Sequence, residues 1–394
     1  MKREHLFGLC VVVLLASNIA LPFLILGSTL MGWVDNCTYL LSVFMLLPYC
    51  YNKSSKYERM YIGVMLLGFF LHLILPDNTK VLWESLKWMF IVFLLIIGRE
   101  YILQRYVVFC FIGFFVMHCL IAALERNARS HFFDFGKINE QELNSFLDNT
   151  KFRAQGLMQH PLFAANVVLI MLSFILVNTF MNKYIRVGLL ILGTYALICF
   201  NSRWAMLLWG ALLLYRLFFY NSNPLIPILL GVFIYGFFLS DIVMLLQDNS
   251  QIFGRLAEKN NLEDESSATR VMSYIFFASQ RWNMQDILVG GRIIYMPGTE
   301  FSLENGILLT IAWWGWIVGG LKVFLELVIS FKCLQRYSLK DRSIIMIGSW
   351  GCAFGNNNSI NTFVFAFLVI SYLVMNSWFA HSIASEEKLR LQIV

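Results

Sequence analysis

Long apolar runs recur along the whole chain and limit what it can fold into. They are about 15–25 residues each, near the roughly 20 that a helix needs to cross a hydrocarbon core. The 394 residues are 59% hydrophobic and 14% charged, with a mean hydropathy of +0.67. A soluble domain carries about 25% charged residues. The comparison excludes an ordinary soluble enzyme, a disordered chain and a secreted disulfide scaffold. A transmembrane barrel would alternate apolar and polar residues over short strands, and this chain does not. The sequence therefore predicts an all-α polytopic membrane protein forming a single membrane-embedded domain.

About twelve spans are expected, at approximately 6–26, 37–51, 60–75, 81–98, 106–123, 162–181, 187–201, 204–220, 224–246, 305–331, 343–354 and 359–380. The net charge of +6 matters through its placement. Compact basic clusters mark alternate junctions: Lys53, Lys56 and Arg59; Arg99 and Arg105; Lys183 and Arg186; Arg216; Lys332, Arg336, Lys340 and Arg342. The positive-inside rule puts those junctions and both termini in the cytoplasm. Met1-Lys2-Arg3-Glu4 before an apolar run imitates a signal peptide. No small-residue cleavage site follows, so a retained first helix is predicted. The eight cysteines lie in or beside apolar runs and form no CxxC pair. They read as small hydrophobes, not as disulfides or zinc ligands.

Two long polar segments, about 124–161 and 247–304, then face outward. In the first, Asn139-Glu-Gln-Glu142 has capping-box spacing. In the second, Ser266 to Trp282 predicts an amphipathic helix on the membrane surface, and Val289-Gly-Gly-Arg292 predicts a turn. No internal repeat is present.

The residues suited to chemistry gather at the outer boundary. Arg153-Ala-Gln-Gly156 precedes His160-Pro161. Arg203 follows Asn201-Ser202 between two closely spaced spans. Arg270, Arg281 and Arg292 lie in the second loop, and Glu304-Asn305-Gly306 opens the tenth span. A guanidinium is a permanently charged fork of donors that pairs two-pronged with phosphate oxygens. Several at one membrane depth suit a diphosphate on a lipid carrier, and a nearby carboxylate could take a proton from a sugar hydroxyl. Gly156 and Gly306 would admit a close backbone approach. Plainer readings stand beside these. Arg203 could snorkel to headgroups, Arg153 and Arg270 could be solvated loop residues, and His160 could serve only to start a helix. Glu304 could favour a helix dipole alone. Lys322 and Glu326, four apart inside the tenth span, are expected to pair with each other.

Several chemistries find no support. There is no phosphate-binding loop, dinucleotide fingerprint, metalloprotease motif or serine-hydrolase elbow, and no nucleic-acid or cofactor signal. A secondary transporter would place charges and broken helices near the midplane, whereas here the charges favour the outer face.

Taken in order, four stretches resemble the Wzy-type polysaccharide polymerases, relatives of the O-antigen ligases with a GT-C-like architecture. Arg153-Ala-Gln-Gly156 with His160-Pro161 is similar to the RxxG element closing the first periplasmic loop. Asn201-Ser-Arg203-Trp is similar to the helix start that follows. Arg270, ahead of Leu288-Val-Gly-Gly291, is similar to the Arg-to-Gly element of the second loop, at looser spacing. Glu304-Asn-Gly306 is similar to the [DE]NG start of the next helix. Ligases typically hold a histidine where Glu304 stands, which favours polymerase over ligase. The resemblance implies a multi-pass enzyme of the bacterial inner membrane, acting in the periplasm without metal or cofactor. It would transfer a growing glycan from undecaprenyl diphosphate to an incoming lipid-linked repeat unit. It further implies Glu304 as base, Arg203 and Arg270 as a clamp on the donor diphosphate, and Arg153 on donor or acceptor phosphate. Gly156, His160, Arg281, Arg292 and Asn305 would complete substrate binding. A Wzz-type length regulator and a Wzx-type flippase are the implied partners. The competing readings are an O-antigen ligase acting on lipid A-core, a flippase or other transporter, and a membrane scaffold.

Overall fold

A computed structural model describes residues 3–16, 28–74, 79–133, 152–158, 160–219, 275–288, 290, 305–355 and 363–393. The predicted ninth span, the capping-box stretch at 139–142, and Arg270, Arg292 and Glu304 lie outside the described residues.

Every regular element among the described residues is helical. In chain order they are α1 (Arg3–Ala16), α2 (Ser28–Lys53), α3 (Lys56–Ile74), α4 (Thr79–Ile97), α5 (Arg105–Ala128), α6 (Pro161–Val177), α7 (Lys183–Phe200) and α8 (Arg203–Leu214). There follow α9 (Met284–Leu288), α10 (Gly306–Trp314), α11 (Trp316–Cys333), α12 (Leu339–Gly355) and α13 (Phe363–Ile393). Among the described residues, four helices are long and apolar enough to cross a membrane: α3, α5, α7 and the Val364–Ile383 part of α13.

The chain divides into two compact units. The first is Met1–Phe111, Thr269–Arg336 and Ala353–Val394; the second is Ile112–Ala268 and Tyr337–Cys352. In the first unit, α4 is buried on every side from Trp88 to Ile96, and α13 is buried from Val364 to Met375. A helix apolar all round has no solvent face and belongs inside a bundle or a membrane. The helices around α4 have the opposite character, carrying large apolar residues outward, among them Phe44, Met45, Phe70 and Ile74. An apolar outer surface of this kind is what lipid contact requires.

The second unit is built on α6, whose residues from Ala164 to Val177 are all buried. Small residues let the helices close on it. A Cβ on Gly193 of α7 would come within 2.6 Å of Leu172, and one on Gly348 of α12 within 2.6 Å of the Ser173 side chain. Close packing of this kind is what can hold helices together in a lipid surrounding, where they have no hydrophobic reason to associate.

Three of the predicted helices differ in the structure. Where the second span was expected at 37–51 the helix is the longer Ser28–Lys53, with Pro48 inside it. The tenth breaks into α10 and α11 at Gly315, where φ is +82°. The cause is a close approach: a Cβ on Gly315 would lie 2.8 Å from the Leu288 carbonyl carbon. A Cβ on Gly290, itself at φ +67°, would lie 2.6 Å from the Ala312 carbonyl oxygen. The surface helix expected up to Trp282 is helical only over 275–279 in its described part. A new start competes with it, because Asn283 and Asp286 cap α9 reciprocally, with Asp286 N donating to Asn283 Oδ1 at 2.7 Å and Asn283 N donating to Asp286 Oδ2 at 3.3 Å.

Candidate functional site

The second unit brings the Arg153-Ala-Gln-Gly156 loop against the end of α7. Ala154 N donates to the Cys199 carbonyl at 3.1 Å, and Arg153 Nε reaches the Phe200 carbonyl at 3.5 Å. Asn201 then ends α7 in the left-handed region at φ 52°, Ser202 follows, and α8 begins at Arg203. Two stretches 47 residues apart in sequence thus share one end of the unit. His160 sits at the same end as the N-cap of α6, its Nδ1 accepting from Leu162 N at 3.1 Å. The helix-start reading of His160 holds at this level.

Arg153 is not the solvated loop residue that its polar surroundings suggest; it is 6% exposed. A buried carboxylate holds the loop that carries it. Glu125, in the last turn of α5, is fully buried. Its Oε2 accepts from Gln155 N at 2.7 Å and Gly156 N at 2.9 Å, and its Oε1 accepts from Phe132 N at 3.2 Å. One side chain therefore satisfies three backbone donors from two segments, and a carboxylate so placed makes the stronger, charge-assisted kind of bond. Arg126, beside it, donates to the Phe152 carbonyl at 2.7 Å. His118, two helical turns earlier on the same face, accepts from Leu157 N at 2.9 Å through Nδ1. Its ring stacks against Phe114 and Phe200.

Gly156 earns its place here. Its φ is +60°, and a Cβ would fall 2.5 Å from His118 Nδ1 and 3.1 Å from the His118 carbonyl oxygen. The close approach expected of this glycine is to α5. His131 lies over Phe152 at 5.2 Å between ring centroids, with Nδ1 4.0 Å from Glu125 Oε2. Burial lowers the pKa of its imidazole from the ordinary histidine value. The buried Gln155 Nε2 has no hydrogen-bond partner among the described residues.

The remaining described candidates belong to the first unit. Asn305 is the N-cap of α10, its Oδ1 accepting from Ile307 N and Leu308 N, both at 3.0 Å. Arg281 is exposed, next to the aromatic cluster of Phe277, Trp282 and Trp316. Lys322 and Glu326 pair at 2.6 Å as their spacing predicted, each side chain 1% exposed. Tyr61 of α3 donates to Glu326 Oε1 at 2.6 Å, and the Lys322 ammonium lies 3.8 Å from the centre of the Trp88 ring.

Sequence reasoning missed Glu125, His118 and Arg126. It placed Glu125 and Arg126 in the first polar loop, whereas α5 continues to Ala128. A usable signal was there: His118 and Glu125 are seven apart, so they fall on one face at the end of an apolar helix. Among the described residues no group of three or more His, Cys, Asp or Glu side chains could hold a metal ion.

Comparison with protein families, with curated proteins and with solved structures finds no match for this chain.

Proposed function

We propose that the protein is a Wzy-type polymerase that lengthens a surface polysaccharide at the outer face of a bacterial inner membrane. The observation that carries this reading is the meeting of the Arg153–Gly156 loop with the Phe200–Ser202 turn that opens α8 at Arg203. Two motif arginines then belong to one end of one unit, where α6 and α8 both begin. Helix N-termini carry partial positive charge and favour anions, so they add to the arginines' pull on a diphosphate.

In this reading about twelve spans place both termini in the cytoplasm and the two long loops in the periplasm. The acceptor hydroxyl oxygen attacks the anomeric carbon of the growing glycan, and the bond from that carbon to the lipid diphosphate breaks. The hydroxyl proton passes to Glu304. Undecaprenyl diphosphate leaves with both electrons of the broken bond, its charge held by Arg203 and Arg270, with Arg153 on a donor or acceptor phosphate. Direct attack inverts the anomeric configuration. Arginine supplies here the charge neutralisation that a metal ion supplies in other diphosphate-transfer enzymes. A flippase delivers repeat units and a separate regulator sets chain length. A carboxylate rather than a histidine before Asn305 favours this reading over a ligase.

The test is glycan size on a gel from a deletion strain. Wild type restores a ladder, and Arg203→Ala leaves a single repeat unit at normal protein level. An unchanged ladder in the deletion strain defeats the polymerase reading. Long carrier-linked glycan that never reaches lipid A-core points to the ligase.

A further inference from the structure

The second unit has another arginine pair at its far end. Arg186 lies in the first turn of α7 and Arg216 in the π-helical turn Tyr215–Phe219 that continues α8. From Arg186 to Phe200 is 14 residues, or about 21 Å of helix, so this end is well separated from the Arg153 loop. Between the two arginines is an open cavity of about 430 Å³, lined by Leu176, Val187 and Leu190 and edged by Leu217 and Phe218, which are 71% and 70% exposed. That volume is within the usual range of small-molecule sites, about 300–1,000 Å³.

The cavity has the two surfaces of an amphiphile. Its walls are aliphatic and aromatic, and its cations are guanidinium forks suited to phosphate oxygens. Arg186 is oriented from within, donating from Nη1 to the Asn178 carbonyl at 2.9 Å. Arg216 is oriented by Asp341 at the start of α12, 3.9 Å away. Asp341 is fixed in turn by Ser338 Oγ, which donates to its Oδ2 at 2.7 Å. Both guanidinium groups line the cavity, one from each helix. Arg216 also stands on a π-helical turn, a distortion frequent at functional sites.

We propose that this cavity binds a phosphate-bearing amphiphile, the phosphate between Arg186 and Arg216 and the apolar chain along Leu190 and Phe218. The assignment does not rest on the transferase reading, because it involves neither the Arg153 loop nor the start of α8. It goes beyond the general attraction of basic residues for anionic lipid, since it requires these two arginines and not their neighbours.

Native mass spectrometry of the full-length protein in detergent tests it. The protein is titrated with phosphatidylglycerol, with a polyprenyl phosphate, and with inorganic phosphate alone. One phosphate-bearing lipid binds per chain, and Arg186→Gln/Arg216→Gln weakens it about tenfold or more. Lys183→Gln removes the same sign of charge one turn away on the exposed start of α7 and leaves binding unchanged. Asp341→Asn removes the competing carboxylate and tightens binding several-fold, which keeps the proposal testable even if the double variant is poorly folded. Preference between the two lipids identifies the apolar chain. Equal lipid binding by wild type and the arginine double variant overturns the proposal. So does an equal loss in Lys183→Gln, and so does inorganic phosphate binding as tightly as either lipid.

Discussion

Glu125 and Glu326 are both buried carboxylates on apolar helices, yet they are satisfied in different ways. Glu326 is held by side chains: Lys322 one turn before it and Tyr61 from a neighbouring helix. Glu125 is held mostly by backbone, accepting from Phe132, Gln155 and Gly156. The first arrangement fastens helix to helix. The second fastens a loop to a helix end, and so sets where Arg153 sits. A carboxylate bound by backbone N–H groups makes a loop part of the scaffold, and that is the condition for a site built on a loop to be geometrically exact.

The largest expected effect separates the two directly. Lys322→Met leaves Glu326 buried without its cation and should destabilise the protein by about 3–5 kcal/mol. Replacing both partners, as Lys322→Met/Glu326→Leu, should recover most of that loss, since a buried ion pair is often no better than apolar packing. Thermal unfolding in detergent measures both. Glu125 admits no such rescue, because its partners are backbone and cannot be exchanged. Glu125→Ala leaves three N–H groups without their acceptor and should cost about 3 kcal/mol. Its loss should also appear as proteolysis within 152–158 before global unfolding. Gly156→Ala comes next, at about 2 kcal/mol, from a left-handed backbone and a Cβ pressed on His118. His118→Ala in the same chain should relieve the steric part, a coupling that a double-mutant cycle reads.

The smallest effect is on the surface. Glu100 joins Lys53 at 2.8 Å and Tyr49 at 2.5 Å, and these bonds hold its carboxyl below the ordinary glutamate range. Its folded pKa is depressed, so its contribution is present above the unfolded value of about 4.3 and fades as pH falls through the folded one. Glu100→Gln should be barely distinguishable from wild type at neutral pH, and any difference should vanish on acidification.

The apolar runs made the helical class legible, because a run of about 20 apolar residues has few other uses. The Lys322–Glu326 pair was legible for a similar reason: a spacing of four puts two charges on one face. Gly315 was visible as a residue but not as a break, since its positive φ comes from the approach of Leu288, 27 positions earlier in the chain. The same holds for Arg153. Its motif could be read, whereas its burial follows from where its loop docks, and Glu125, which anchors that loop, was assigned to a loop by the polar composition after position 124. Local pattern reports what a residue can do. Which backbone it meets is a tertiary fact.

The most direct test of the account uses purified protein and one lipid-linked substrate, an oligosaccharide repeat unit on a polyprenyl diphosphate. The account predicts glycans of several repeat units and one polyprenyl diphosphate released for each unit joined. Both should be lost in Arg203→Ala and strongly reduced in Arg153→Ala, with the fold retained. A well-folded wild-type protein that leaves this substrate unchanged, or that releases diphosphate without joining units, would contradict it.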